Sequence, residues 1–136
     1  MELLTHKVEN GPEIVVLHDP TAFTASLGWF VNTGARDEVP ELAGVSHFLE
    51  HMVFKGTQRR SADQVNRELD HLGAQSNAYT SEDSTVFYAS VLPECLGHAV
   101  DLLTDLMSTE AFIACWPSIG ARTPAEGVAS SAACRR

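Results

Sequence analysis

Basic residues are scarce in this 136-residue chain: nine Lys and Arg stand against eighteen Asp and Glu, a formal net charge of −9. Nucleic acid and anionic membrane surfaces recruit proteins through basic patches, so neither is an expected partner, and the acidic balance serves solubility. No apolar run approaches the ~18 residues of a membrane-spanning helix. The first residues, Met1 to Glu13, hold no apolar run of signal-peptide length, which makes a cytoplasmic location the expectation. Cysteine is sparse and odd in number. Cys95, Cys115 and Cys134 have no CxxC spacing, so neither a disulfide framework nor a cysteine metal site follows. Internal repeats of solenoid length are lacking too. What remains is 44% hydrophobic content, enough for one core.

The apolar pattern alternates between strand and helix. Ile14 to Leu17 reads as a strand, His18-Asp19-Pro20 as a turn, and Ala25 to Asn32 as a second strand forming a hairpin with the first. Ala43 to Phe54 reads as a helix closed by Lys55-Gly56; Phe48, Leu49, Met52, Val53 and Phe54 make it apolar nearly all round, the mark of a buried helix. Ser61-Ala62-Asp63-Gln64 forms a capping box opening a helix to Leu72, with Val65, Leu69 and Leu72 as its apolar face and Gly73 as its stop. Gln75 to Thr80 and Ser84 to Val91 read as strands joined across Ser81-Glu82-Asp83. A helix from Pro93 to about Ser108 follows, carrying Leu96, Val100, Leu103, Leu106 and Met107. The predicted fold class is α+β, an antiparallel sheet layered against helices.

Within the predicted buried helix lies His47-Phe48-Leu49-Glu50-His51. At about 100° per residue, the two histidines fall on one stripe, and Glu50 faces the same way. Two neutral imidazoles one turn apart can share a Zn²⁺ ion, and the adjacent carboxylate is placed to take a proton from water activated there. This is the HxxEH order, the reverse of HExxH. A pair of hydrogen-bonded core histidines is the alternative. His6, His18, His71 and His98 stand alone, and solvated or singly hydrogen-bonded imidazoles account for them. Trp29, Phe30, Phe87 and Tyr88 fit sheet packing, Glu82 and Asp83 a water-facing turn, and Arg36 a loop where it can meet a carboxylate.

Several segments together resemble the pitrilysin/insulinase family of metallopeptidases, most closely its processing-peptidase branch. They are Val31-Asn32-Thr33-Gly34-Ala35-Arg36-Asp37-Glu38; Gly44-Val45-Ser46 running through the HxxEH motif to Lys55-Gly56-Thr57; Asn77-Ala78-Tyr79-Thr80; and Thr85-Val86-Phe87-Tyr88-Ala89 with Val91-Leu92. The resemblance covers roughly residues 1 to 112. It implies part of the catalytic half-domain of a zinc-dependent endopeptidase, with His47 and His51 as metal ligands and Glu50 as general base. An extended peptide or unfolded protein would be the substrate, adding as a strand along the segment Asn77, Ala78, Tyr79 and Thr80, with Asn77 its nearest polar contact. Family members are longer, and a second half-domain or homologous subunit normally closes over the substrate. A nonhydrolytic partner subunit or inactive fragment of the same fold is the alternative.

From residue 113 to 136 the resemblance stops, and an Ala-, Ser- and Arg-rich tail without period reads as irregular. The family carries a third zinc ligand, a glutamate in a charged helix, about 76 or 77 residues after the second histidine. Counting from His51 reaches Gly127 or Val128, and Glu126 is the nearby acid. The abruptness of the change predicts a shifted reading frame or early stop near residue 113. A site with two histidines alone would hold zinc weakly and gain little stability from it.

Overall fold

The computed structural model describes residues 1–9 and 11–108, and the backbone of 128–134. In chain order the elements are β1 (Glu2–Lys7), β2 (Glu13–His18), β3 (Ala25–Val31), α1 (Val45–Val53), α2 (Ala62–His71), β4 (Gln75–Thr80), β5 (Thr85–Val91), α3 (Leu96–Met107) and β6 (Val128–Cys134). The six strands form one sheet in the order β1-β2-β6-β3-β5-β4. Neighbours run antiparallel except β2 and β6, which are parallel. This is the predicted α+β fold, with α3 packed on β3 and β5, and α1 against β4.

The core follows from strand alternation meeting helical stripes. In β5, Thr85, Phe87, Ala89 and Val91 point to the helices; in β3, Ala25, Leu27 and Val31 do the same. The register sets Leu27 beside Ala89 and Val31 beside Thr85. Leu49 and Val53 of α1, Val65, Leu69 and Leu72 of the α2 region, and Ala99, Leu102, Leu103 and Leu106 of α3 complete the cluster. Val100, expected inside, is exposed, because the buried stripe of α3 runs through Ala99 and Leu102 instead. Phe30 and Tyr88 lie on the opposite, open face of the sheet.

The second helix starts where its capping box predicts. The Ser61 hydroxyl accepts from the Gln64 backbone at 3.3 Å, and the Gln64 side chain accepts from the Ser61 backbone at 2.7 Å. Gly73, at φ +59, turns the chain out of it.

Two expectations about the strands are corrected, and one strand was not foreseen. The strands β2 and β3 do not form a hairpin, since β6 lies between them and β1 takes the other side of β2. The strand β1 escapes detection because all six of its residues are exposed, leaving no apolar alternation to read. Residues 128–134, expected to be irregular, form β6: its pairing is made by backbone groups, so no hydrophobic period announces it. Among the described residues, no helix is long and apolar enough to cross a membrane.

Candidate active site

The HxxEH segment lies on α1, and the chain before and after this helix fixes it. Gly44 precedes it at φ +93, a left-handed conformation that costs a glycine little. The Glu38 carboxylate accepts from the backbone N–H of Gly44 at 2.6 Å and of Ser46 at 2.8 Å, satisfying donors at the helix start. Burial pushes the Glu38 carboxyl up, and these two bonds outweigh it, holding the group below its ordinary value. At the far end, Gly56 at φ +118 opens a tight turn in which the Thr57 N–H donates to the Arg60 carbonyl at 2.7 Å.

That turn is held down by charge. The Arg60 side chain, 11% exposed, donates to Asp105 and Asp101 at 2.6 Å each and to both Glu68 oxygens at 3.1 Å. Thr57 donates to the same Asp105 oxygen at 2.8 Å. Hydrogen bonds to Asp105 and Asp101 raise the Arg60 pKa beyond its ordinary value. On Asp105, burial works upward and the bonds from Arg60 and Thr57 outweigh it, so its carboxyl titrates below the usual range. The exit of α1 is thus tied to α2 and α3 by side chains up to 48 positions apart.

The helix itself is half open, not buried all round. Leu49 and Val53 face the core, whereas Phe48 is 59% exposed and the His47 side chain 67%. The apolar residues outnumber the positions the core can cover, so Phe48 and Met52 stay at the surface beside the histidines. The imidazoles converge as the spacing predicts: His47 Nε2 and His51 Nε2 are 3.0 Å apart, with ring centroids at 4.6 Å and planes at 81°. A hydrogen bond between them needs one protonated and one bare nitrogen. A shared cation needs two bare nitrogens aimed at one point, and on tetrahedral zinc such nitrogens stand roughly 3.3 Å apart. Their separation fits that ion after a shift of a few tenths of an ångström.

Glu50 sits deeper than its neighbours, with its side chain 15% exposed. Its Oε2 lies 3.9 Å from His47 Nδ1, too far for a hydrogen bond, and accepts one from the Thr80 hydroxyl at 2.7 Å. A cleft of about 310 Å³ opens beside it, lined in part by Glu50, His51, Phe54, Lys55, Asn66 and Asn77. The cleft runs along β4, the edge strand of the sheet. Burial alternates along β4, so Ala78 and Thr80 turn inward while Asn77 and Tyr79 are exposed. Asn77 Oδ1 accepts from the Ala78 backbone at 2.9 Å.

Among the described residues no group of three His, Cys, Asp or Glu side chains is placed to hold one metal ion. Glu126 lies outside the described residues. Arg36 meets carboxylates, pairing with Glu82 at 3.0 Å and Asp83 at 2.5 Å across exposed loops. His98 bonds Glu68 at 3.1 Å. Sequence reasoning missed Glu38, Arg60 and the bond from Thr80 to Glu50. Only Glu38 left a local signal, an acid six residues before Gly44.

The family model described as insulinase, peptidase family M16, matches residues 13–114. An uncharacterized zinc protease, YmxG, of Bacillus subtilis is 43% identical over 104 residues, covering 76% of this chain and 25% of the relative. Mitochondrial-processing peptidase subunit beta of Saccharomyces cerevisiae is 42% identical over 104 residues, covering 76% of this chain and 22% of that subunit. An uncharacterized zinc protease of Rickettsia felis is 38% identical over 106 residues, covering 78% and 26%. The chain therefore spans about a quarter of the length of these curated relatives.

Proposed function

The chain belongs to the insulinase family of peptidases, family M16, and from that membership we propose that it is the metal-binding, proton-transferring portion of a zinc endopeptidase. One observation carries the reading. Two imidazole nitrogens converge at 3.0 Å with a partly buried carboxylate on the next turn face, at the mouth of a cleft along an edge strand. We take residues 1–112 as the peptidase-like part; the family model matches residues 13–114.

His47 and His51 would hold the metal, and a third ligand would come from outside the described residues, with Glu126 the candidate. Zinc, when bound, supplies Lewis-acid polarisation of water and of the scissile carbonyl. Glu50 takes the proton of the attacking water and passes it to the departing amine nitrogen, a transfer its position beside the histidines permits. The peptide adds along β4: that strand pairs only with β5 among the described strands, so its outer backbone groups can form a ladder with an extended segment. Backbone pairing demands little of peptide sequence, which suits a substrate that is unfolded or extended. Asn77, Ala78, Tyr79 and Thr80 supply this edge.

The second reading is a nonhydrolytic partner subunit or an inactive fragment of the same fold, and the chain's span of about a quarter of its curated relatives' length is what supports it. Completion by a second half-domain or homologous subunit reconciles the two, and the relative named as a subunit fits such an assembly. Cleavage of a quenched fluorogenic peptide library in the presence of zinc tests the proposal. Glu50→Gln should lower cleavage by roughly 10²–10⁴-fold. Unchanged cleavage in that variant removes Glu50 from the mechanism.

A further inference from the structure

A glutamate carboxylate turns freely about its last torsion, because the sp³–sp² bond has a broad and nearly two-fold profile. Glu50 is denied that freedom. Its Oε2 accepts the 2.7 Å hydrogen bond from Thr80 Oγ1, a contact between residues 30 apart. The geometry points to Thr80 as a positioning residue for the base: its hydroxyl fixes one carboxylate oxygen and leaves Oε1 to receive the proton. This inference rests on the reading of Glu50 as general base and deepens it.

Three features make the donor firm. Threonine is β-branched, so its side chain has few rotamers to lose when it holds an acceptor. Its backbone is set by the β4–β5 ladder, in which Thr80 faces Thr85. Thr85 is itself buried, and its hydroxyl donates to the Thr33 carbonyl at 2.9 Å. A carboxylate at 15% exposure needs such a partner, since a partly desolvated charge without a donor is costly.

The contact also sets the role of Thr80 on β4. Its inward hydroxyl is engaged by Glu50, so it serves the base, while the backbone of β4 remains for a peptide. The strand on which the substrate is proposed to add therefore carries the tether of the base. Peptide and base share one rigid frame, and a shift of that strand would move both together.

The test compares Thr80→Val, which keeps the shape and removes the hydroxyl, with Thr80→Ser, which keeps the hydroxyl. In the zinc-supplemented full chain, Thr80→Val should lower kcat roughly tenfold or more with KM within about twofold, and Thr80→Ser should restore most of it. Bound zinc per chain should match the wild type in both. Unchanged kcat in Thr80→Val overturns the inference, as does a joint loss of kcat, KM and zinc that serine fails to rescue, which marks a merely structural residue. A metal-free arm follows the Thr80 hydroxyl proton by NMR. It should be protected from exchange in the wild type and lose that protection in Glu50→Ala; an unprotected proton in the wild type overturns the contact. If the wild type cleaves no peptide, the general-base reading fails, and the hydroxyl proton still decides whether Thr80 holds Glu50.

Discussion

Replacing Arg60 by methionine removes the cation that hydrogen-bonds three carboxylates of α2 and α3 to the turn leaving α1, where the more exposed Arg59 stands 3.6–3.7 Å from two of them. The effects are unequal. Asp101 is half exposed, and Glu68 is in partial contact with water, so each contributes little by itself. Asp105 is 7% exposed and would keep the Thr57 hydroxyl and the looser pair with Arg59 at 3.6 Å. Stranding one member of a buried pair costs about 3–5 kcal/mol, and the partial exposure of the other two carboxylates, together with the Arg59 pair that Asp105 keeps, places the expected loss no higher than the lower figure, about 3 kcal/mol. With a urea slope of about 2 kcal/mol/M for a chain of this size, the unfolding midpoint should fall by roughly 1.5 M at unchanged slope. Arg60→Met combined with Asp105→Leu should recover much of that loss, because two apolar side chains leave no stranded charge. A loss below about 1 kcal/mol, or a double variant no better than Arg60→Met, would refute the claim that this network pins the end of α1.

Acid should unfold the protein through the same groups. Asp101 is held low chiefly by the Arg60 bond, while Asp105 and Glu68 are held low by Arg60 against the upward push of burial. Their folded values lie below the unfolded ones of about 4, so the native state binds fewer protons there and its extra stability is complete above about pH 5. Urea midpoints should stay level from pH 7 to 5 and drop below pH 4 as these carboxyls take up protons; a drop as steep in Arg60→Met would show that other groups cause it. Gly34→Ala should cost about 1–3 kcal/mol, since its new Cβ would stand 2.6 Å from the Glu82 carbonyl oxygen and closer still to that of Ser81. Thermal melting reads this, and an unchanged midpoint would mean that the two loops can part without cost.

The legible parts of the fold were those whose signals are local. The Ser61 to Gln64 capping box, the alternation of β4 and β5, and the convergence of His47 and His51 all depend on residues within a few positions of each other. Sheet order was not legible. The β1 strand buries nothing, and β6 joins β2 and β3 through backbone bonds from a segment far along the chain, so neither writes a hydrophobic pattern. The apolar count of α1 promised burial, but a stripe through Leu49 and Val53 is all the sheet covers. At the site, the residue types of the motif announced their chemistry, whereas the supports came from a distance. Thr80 reaches Glu50 across 30 positions and Arg60 reaches Asp105 across 45, separations at which one sequence carries no pairing signal.

The most direct measurement is zinc affinity, by competition with a chromophoric chelator, for the wild-type chain, His47→Ala and Glu50→Gln. The account predicts about one zinc per chain in the wild type and in Glu50→Gln, with affinity at least tenfold weaker in His47→Ala. Equal zinc affinity in the wild type and His47→Ala would contradict it, because the metal would then lie elsewhere and the paired imidazoles would be no more than a hydrogen-bonded couple on a helix surface.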